Sequence, residues 1–281
     1  MFRPLRVAAI SFVPEKFELA DNCDRLEESF RRAARDGAEL AVAPEGVIEG
    51  YVTNEIIAGE APAARIREVA VTMQGAVISR FRALARELGM SLAFGCAEKV
   101  GRNVHNCAVF IDPEGKLSGK YHKMQLAEGT HPAWWFNRLG RQSRAFPTPH
   151  GRCGFMICAD RWNADIARIP VLDGARYLLI PSFGSRSKRQ DQAVLARARE
   201  NGVPIVEANV GVTLIISQGE IVALSRREEK ILHATIEVPA EPSRRNRDLH
   251  ERAFLRWRRR EMPLWFEKRT KKTWLNRQRA S

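Results

Sequence analysis

The sequence predicts an α/β fold in which a mixed sheet, or a pair of sheets, is covered by helices. Apolar runs of strand length alternate with amphipathic stretches of helical spacing through the early chain, and hairpins replace the helices later. The 281 residues, 44% hydrophobic and 8% aromatic, are enough for one sizeable core and exclude a chain disordered over most of its length. The expectation is one domain followed by a tail.

The first element, Arg6 to Phe12, reads as a buried strand. Asp24 to Ala38 places Leu26, Phe30, Ala33 and Ala34 at helical spacing and ends at Gly37, so it reads as an amphipathic helix. Glu39 to Pro44 is the next strand. A long helical pattern from Ala63 to Leu88 stops at Gly89, a residue type that closes helices in the left-handed conformation. Ser91 to Ala97 follows as a strand. Asn106 to Asp112 and Lys116 to Tyr121 flank the turn Pro113-Glu114-Gly115 and predict a hairpin. Arg152 to Cys158 is a strand, Asp165 to Asp173 a helix closed by Gly174, and Arg176 to Pro181 a strand again. Gln190 to Asn201 is helical up to Gly202, before the strand Val203 to Asn209. Three short strands, Thr213 to Ser217, Glu220 to Leu224 and Ile231 to Val238, complete the pattern.

The five cysteines, Cys23, Cys96, Cys107, Cys153 and Cys158, are odd in number, with no CxxC pair and no histidine spacing that marks a zinc site. They predict free thiols in a reducing compartment, and the hydrolytic reading below calls for no metal and no organic cofactor. The opening Met1-Phe2-Arg3-Pro4-Leu5-Arg6 is charged, and the apolar stretch after it runs into Pro14-Glu15-Lys16 rather than a small-residue cleavage site. No apolar run approaches the roughly 18 residues that span a bilayer. The expected location is the cytoplasm.

Three segments each deliver one reactive group at the end of a predicted strand: Leu40 to Pro44 leads to Glu45, Lys116 to His122 leads to Lys123, and Gly154 to Ile157 leads to Cys158. A thiol near its free pKa of about 8.5 is a weak nucleophile at neutral pH and needs a base or a nearby positive charge. A carboxylate can take its proton and return one to a leaving amine. An ammonium can stabilise a developing oxyanion together with the backbone N–H after the nucleophile, that of Ala159. Taken singly, a cysteine in an apolar run is as readily an inert core residue, a glutamate at a strand end a cap, and a lysine a solvated charge. Their joint placement at strand ends is what points to hydrolysis.

The segments around these residues resemble the nitrilase superfamily of carbon–nitrogen hydrolases. Glu39-Leu40-Ala41-Val42-Ala43-Pro44-Glu45 is similar to the family's apolar strand ending in Pro-Glu, and the run Asn106 to Leu126 to its hairpin leading to the catalytic lysine. Gly151 to Asp160 resembles the nucleophile segment and puts the family's cysteine on Cys158 rather than Cys153. Asp173 to Ser182 and Ala198 to Asn201 match the strand and helix beyond it. The resemblance implies a four-layer α-β-β-α sandwich and a catalytic triad of Glu45, Lys123 and Cys158. It further implies a carbon–nitrogen hydrolase domain over residues 1–240 and a homodimer or larger assembly packed across the helices after the nucleophile. The family's second glutamate falls on Glu128, which reads equally as a loop residue. The implied reaction is hydrolysis of a small amide or N-carbamoyl compound through a thioester. A nitrile substrate is the alternative, and a binding protein with weak turnover is a third reading.

The chain departs from the family pattern after the nucleophile, where Ala159-Asp160-Arg161-Trp162-Asn163-Ala164-Asp165 lacks the usual arginine, aromatic and proline, and between Asn209 and Gly219, where a long loop is shortened. Arg161 and Trp162 are therefore candidates for substrate contact; Arg161 could face a substrate carboxylate, or pair with Asp160 or Asp165. Trp134, with Trp135 and Phe136, reads as a pocket wall, an oligomer contact or core. Of the net charge of +13, residues 241–281 carry +9. This basic aromatic extension interleaves arginines with Leu249, Phe254, Trp257, Trp265, Phe266 and Trp274, and Leu249, Ala253 and Trp257 predict an amphipathic helix up to Met262-Pro263. An arm on a partner subunit, a contact with nucleic acid or an anionic surface, and a solvated extension are its three readings.

Overall fold

The computed structural model describes residues 2–129, 133–184, 186–241, 252–253, 255–261 and 263–264. Two compact units divide the chain, Met1–Ala240 and Glu241–Ser281. The first holds two six-stranded sheets. One has β1 (Phe2–Ser11), β2 (Leu40–Val42) and β3 (Ser91–Val100) in parallel, with β4 (Asn103–Ile111) and β5 (Leu117–His122) antiparallel beyond β3 and β12 (Lys230–Pro239) antiparallel beside β1. The other mirrors it: β7 (Gly151–Phe155), β8 (Tyr177–Ser182) and β9 (Ile205–Asn209) are parallel, and β6 (Phe146–Thr148), β10 (Val212–Ser217) and β11 (Glu220–Ser225) are antiparallel flanks.

Alternation along the strands explains the layering. Val7 and Ala9 of β1 meet Val42, Ala93 and Phe110, and across the gap Phe155, Leu179, Val206 and Ile215, forming a core between the sheets. Ala8 and Ile10 point the other way, onto a second core with α1 (Leu19–Arg35) and α4 (Ala76–Leu88). A third core packs α5 (Ala164–Leu172) and α6 (Lys188–Asn201) on the outer face of the second sheet through Ile166, Val194 and Ala198. The result is four layers, helix, sheet, sheet, helix. Because both faces of the central strands are covered, they read as continuous apolar runs.

Most predicted elements are present with shifted ends. The long helix expected over Ala63 to Leu88 is instead broken into a 3-10 turn, α3 (Ile66–Val69) and α4, while α2 (Thr53–Ile57) precedes them. Val71 leaves the helical path because its backbone bonds to β3: its N–H donates to Ala97 O at 2.9 Å and its carbonyl accepts from Lys99 at 2.8 Å. Tertiary pairing overrides a local propensity of a few tenths of a kcal/mol per residue. In the second unit, residues 252–253, 255–261 and 263–264 are helical, so Pro263, expected at a break, is itself in helix, while Met262 lies outside the described residues. Leu249, Phe254, Trp265, Phe266 and Trp274 lie outside the described residues.

Candidate active site

Glu45 lies three residues beyond β2, buried, and its N–H reaches across to Ser182 O of the other sheet at 3.2 Å. Gly95 of β3 makes this path possible, since a Cβ there would sit 2.5 Å from Glu45 Cα. The Glu45 Oε1 atom accepts from Lys123 Nζ at 2.7 Å and from Asn106 Nδ2 at 2.6 Å. Its Oε2 atom is buried without a hydrogen-bond partner. Lys123 follows β5 directly and is also fully buried; burial works against its charge, but the Glu45 carboxylate and the Cys158 sulfur hold its ammonium above the ordinary lysine range.

Cys158 lies three residues past β7, and so begins the 3-10 turn Cys158–Trp162 rather than ending a strand. Its φ of +44° falls in the left-handed region that non-glycine residues seldom occupy. Its thiol donates to Phe183 O at 3.6 Å. The other four cysteines are buried, whereas Cys158 keeps partial exposure. Desolvation pushes its thiol up to about 11, the Glu45 carboxylate adds to the rise, and Lys123 and Arg161 oppose it. At neutral pH the sulfur is therefore protonated, beside a carboxylate with a free oxygen.

Two side chains of opposite charge hold this turn. Asp160 accepts from Ile157 N–H at 2.8 Å and Tyr121 Oη at 2.8 Å through Oδ2, and from Gln125 N–H at 2.9 Å through Oδ1, tying the Cys158 turn to both sides of Lys123. Burial raises its carboxyl to about 6, against the pull of those donors. Arg161 is 1% exposed, and its guanidinium donates to Glu207 Oε1 at 2.6 Å, to Ser182 Oγ at 2.6 Å and to the Cys158 carbonyl at 2.5 Å. Its acidic partner is thus Glu207, not the expected Asp160 or Asp165, and the guanidinium is engaged inside the protein rather than offered to a substrate.

The other residues singled out in the sequence separate clearly. Glu128 shares the electrostatics of the same centre: burial raises its carboxyl, Lys123 lowers it and Glu45 raises it, and Asn137 Nδ2 donates to its Oε1. Ala159, buried, is the second residue of the 3-10 turn. Trp162 is 45% exposed with Arg189 over its ring, and Trp134 packs with Phe136 on a small core of Val52, Ile56, Ile66 and Val104. Sequence reasoning gives no role to Tyr51, whose ring stacks on Phe183 at 4.7 Å and lies under Lys123 Nζ at 5.9 Å. Burial raises its hydroxyl well above the usual range, and Glu45, Glu128 and Cys158 all add to the rise. Tyr51 has φ +51°, a conformation its sequence does not announce.

Known proteins carry the same arrangement of strands and helices. The family model for carbon-nitrogen hydrolase matches residues 6–244. The chain belongs to the carbon–nitrogen hydrolases of the nitrilase superfamily. It is a hydrolase of carbon–nitrogen bonds other than peptide bonds. A nitrilase of Pyrococcus abyssi is 28% identical, with 88% of this chain and 95% of the relative covered. An N-carbamoylputrescine amidase of Oryza sativa subsp. japonica is also 28% identical, over 74% of this chain and 67% of the relative. The crystal structure of an amidase from Nesterenkonia sp. superposes with a TM-score of 0.69 at 22% identity, covering 88% of this chain and 95% of that one, which shows the shared fold.

Proposed function

We propose that this hydrolase cleaves a small amide or N-carbamoyl compound through a thioester on Cys158. The observation that carries the reading is the half-satisfied Glu45 carboxylate: Lys123 and Asn106 hold one oxygen, and the other is buried and unpartnered. A thiol with a pKa near 11 needs such a base, because little thiolate exists at neutral pH. Glu45 takes the thiol proton as sulfur bonds to the carbonyl carbon. Lys123 and the Ala159 N–H stabilise the oxyanion. Collapse breaks the carbon–nitrogen bond, and the proton on Glu45 leaves with ammonia or an amine. Water then gives a proton to Glu45 and its oxygen to the carbonyl carbon; the carbon–sulfur bond breaks, the acid leaves, and Glu45 returns the proton to the Cys158 sulfur. Glu128, whose carboxyl feels the Lys123 charge, is assigned the role of a positioning group acting through that lysine.

The relatives named for amide and carbamoyl substrates support this class, and a mutant of the Nesterenkonia amidase has been solved with acrylamide joined by Michael addition to its active-site cysteine. The Pyrococcus relative's name supports a nitrile as the second reading, using the same three side chains. Ammonia release from a panel of amides, ureido acids and nitriles tests both; release from none of them removes the proposal. The free state of all five cysteines supports a reducing, cytoplasmic setting. No helix among the described residues is long and apolar enough to cross a membrane. Self-association across the helices after the nucleophile is part of the same proposal, and Leu172 on α5, 80% exposed, marks the face on which to test it.

A further inference from the structure

We propose a second site, for a divalent transition-metal ion of zinc-like character, formed by Glu98, Cys107 and His122 on β3, β4 and β5. None of the three has a part in the reaction above. Strand register brings them together: Cys107 pairs with Cys96 across β3 and β4 and with His122 across β4 and β5, and Glu98 lies two residues beyond Cys96 on the same face. One ligand atom from each of the three lies within 4.8 Å of the others.

The donor set favours one class of ion. A thiol, an imidazole and a carboxylate suit zinc, cobalt or nickel and are a poor match for magnesium or calcium, which take oxygen ligands. Three protein ligands leave one coordination position for water. The carboxylate is already oriented: Glu98 Oε2 meets His122 Nε2 at 2.5 Å, and Oε1 accepts from Lys120 Nζ at 2.7 Å. His105 stacks on His122 with ring centroids 4.1 Å apart, and its Nδ1 bonds to Arg138 O at 3.0 Å, fixing the second face of the cluster. A cleft of about 730 Å³, lined by Asn103, His105, His122, Arg138, Arg141 and Gln142, opens on the His122 edge of the cluster, with Glu98 and Cys107 buried behind it. Binding replaces the Cys107 thiol proton and any His122 imidazolium proton by the metal, and those protons pass to solvent. The site also borders the segment that carries Lys123. His122 precedes Lys123, and the Lys123 carbonyl accepts from Gly140 N–H at 2.8 Å.

Cobalt(II) titrated into the full chain carrying Cys158→Ala tests this without the active-site thiol or any need for turnover. The expected result is one ion per chain with a sulfur-to-cobalt charge-transfer band that zinc abolishes. Cys107→Ala should remove the band, and His122→Gln, at a partly exposed position, should weaken binding about 10-fold or more. Cys23→Ala, at a buried thiol in α1, should leave both unchanged, and near-ultraviolet circular dichroism verifies that each variant is folded. Absence of the band, a band that survives Cys107→Ala, or cobalt bound with no sulfur signature would each overturn the site.

Discussion

Cys158 differs from the other cysteines in keeping access to solvent while its sulfur feels one carboxylate and two cations. Cys153, five residues earlier, is fully buried between the sheets and its thiol is driven far up by desolvation, as expected of an inert core residue. Cys158→Ala should abolish turnover, and intact mass with substrate present should show a trapped acyl group on the wild type that is absent from Cys158→Ala, where Cys153 is unchanged. Glu45 offers a sharper test, because its two effects have opposite signs. Its charge raises the Cys158 pKa, so Glu45→Gln should move the thiol titration below about 11, read by thiolate absorbance or alkylation rate against pH. Turnover should nevertheless fall by about 10²–10⁴-fold, since the proton acceptor is gone. A variant with a more acidic thiol and undiminished kcat would remove Glu45 as the base. At this scale the sequence is readable where a residue follows a predicted strand, as with Glu45 and Cys158 after apolar runs and Lys123 after the second strand of a hairpin. Tyr51, Asn106 and Glu207 are not, because their roles depend on partners 72, 61 and 46 residues away across the sandwich or on a backbone angle.

The nucleophile turn and the lysine loop act as one element through Asp160. Losing one carboxylate oxygen strands a buried N–H, so Asp160→Asn should destabilise the fold by about 1–3 kcal/mol and lower kcat more than it raises KM. The pH dependence has a defined sign. Asp160 titrates near 6 in the fold against 3.8 when exposed, so between those values the native state holds the extra proton and stability falls as pH rises. Asn has no such proton, so the stability gap between wild type and Asp160→Asn should narrow by about 1–3 kcal/mol from pH 4 to pH 6, measured by denaturant unfolding. A gap that widens over this window contradicts the raised carboxyl. Elements buried on both faces are legible because burial removes polar residues from the run, and this is true of β8 and of the buried stretches of β1 and β3, whereas β9 buries Glu207 and Asn209 within its run. The interruption between α3 and α4 is not legible, because Val71 is fixed by strand β3, distant in sequence. The short β6 escapes the sequence for a related reason: it has three residues, and its pairing with β7 supplies the pattern that its own residues lack.

On the scale of the molecule, charge and structure divide at the same place. The compact unit Met1–Ala240 contains both sheets and every described member of the candidate active site, while residues 241–281 carry +9 of the net +13. A chain ending at Ala240 should therefore keep its fold and the Cys158 titration. Its assembly state distinguishes the readings of the extension. An arm seated on a partner predicts a shift from oligomer toward monomer in sedimentation velocity at constant salt. A polyanion contact predicts an unchanged oligomer together with loss of nucleic-acid retention that, in the full chain, weakens steeply between about 50 and 200 mM salt, by about 10³-fold or more if several phosphates are engaged. The arm is the reading we favour, and Leu172 provides the independent check. Leu172, 80% exposed on α5, lies on the helix after the nucleophile, across which the copies are expected to pack. Leu172→Asp should then dissociate the assembly in the full-length protein with little change in thermal stability of the isolated domain. An oligomer that withstands both Leu172→Asp and truncation at Ala240 would mean that the copies meet through neither the helix after the nucleophile nor the basic extension.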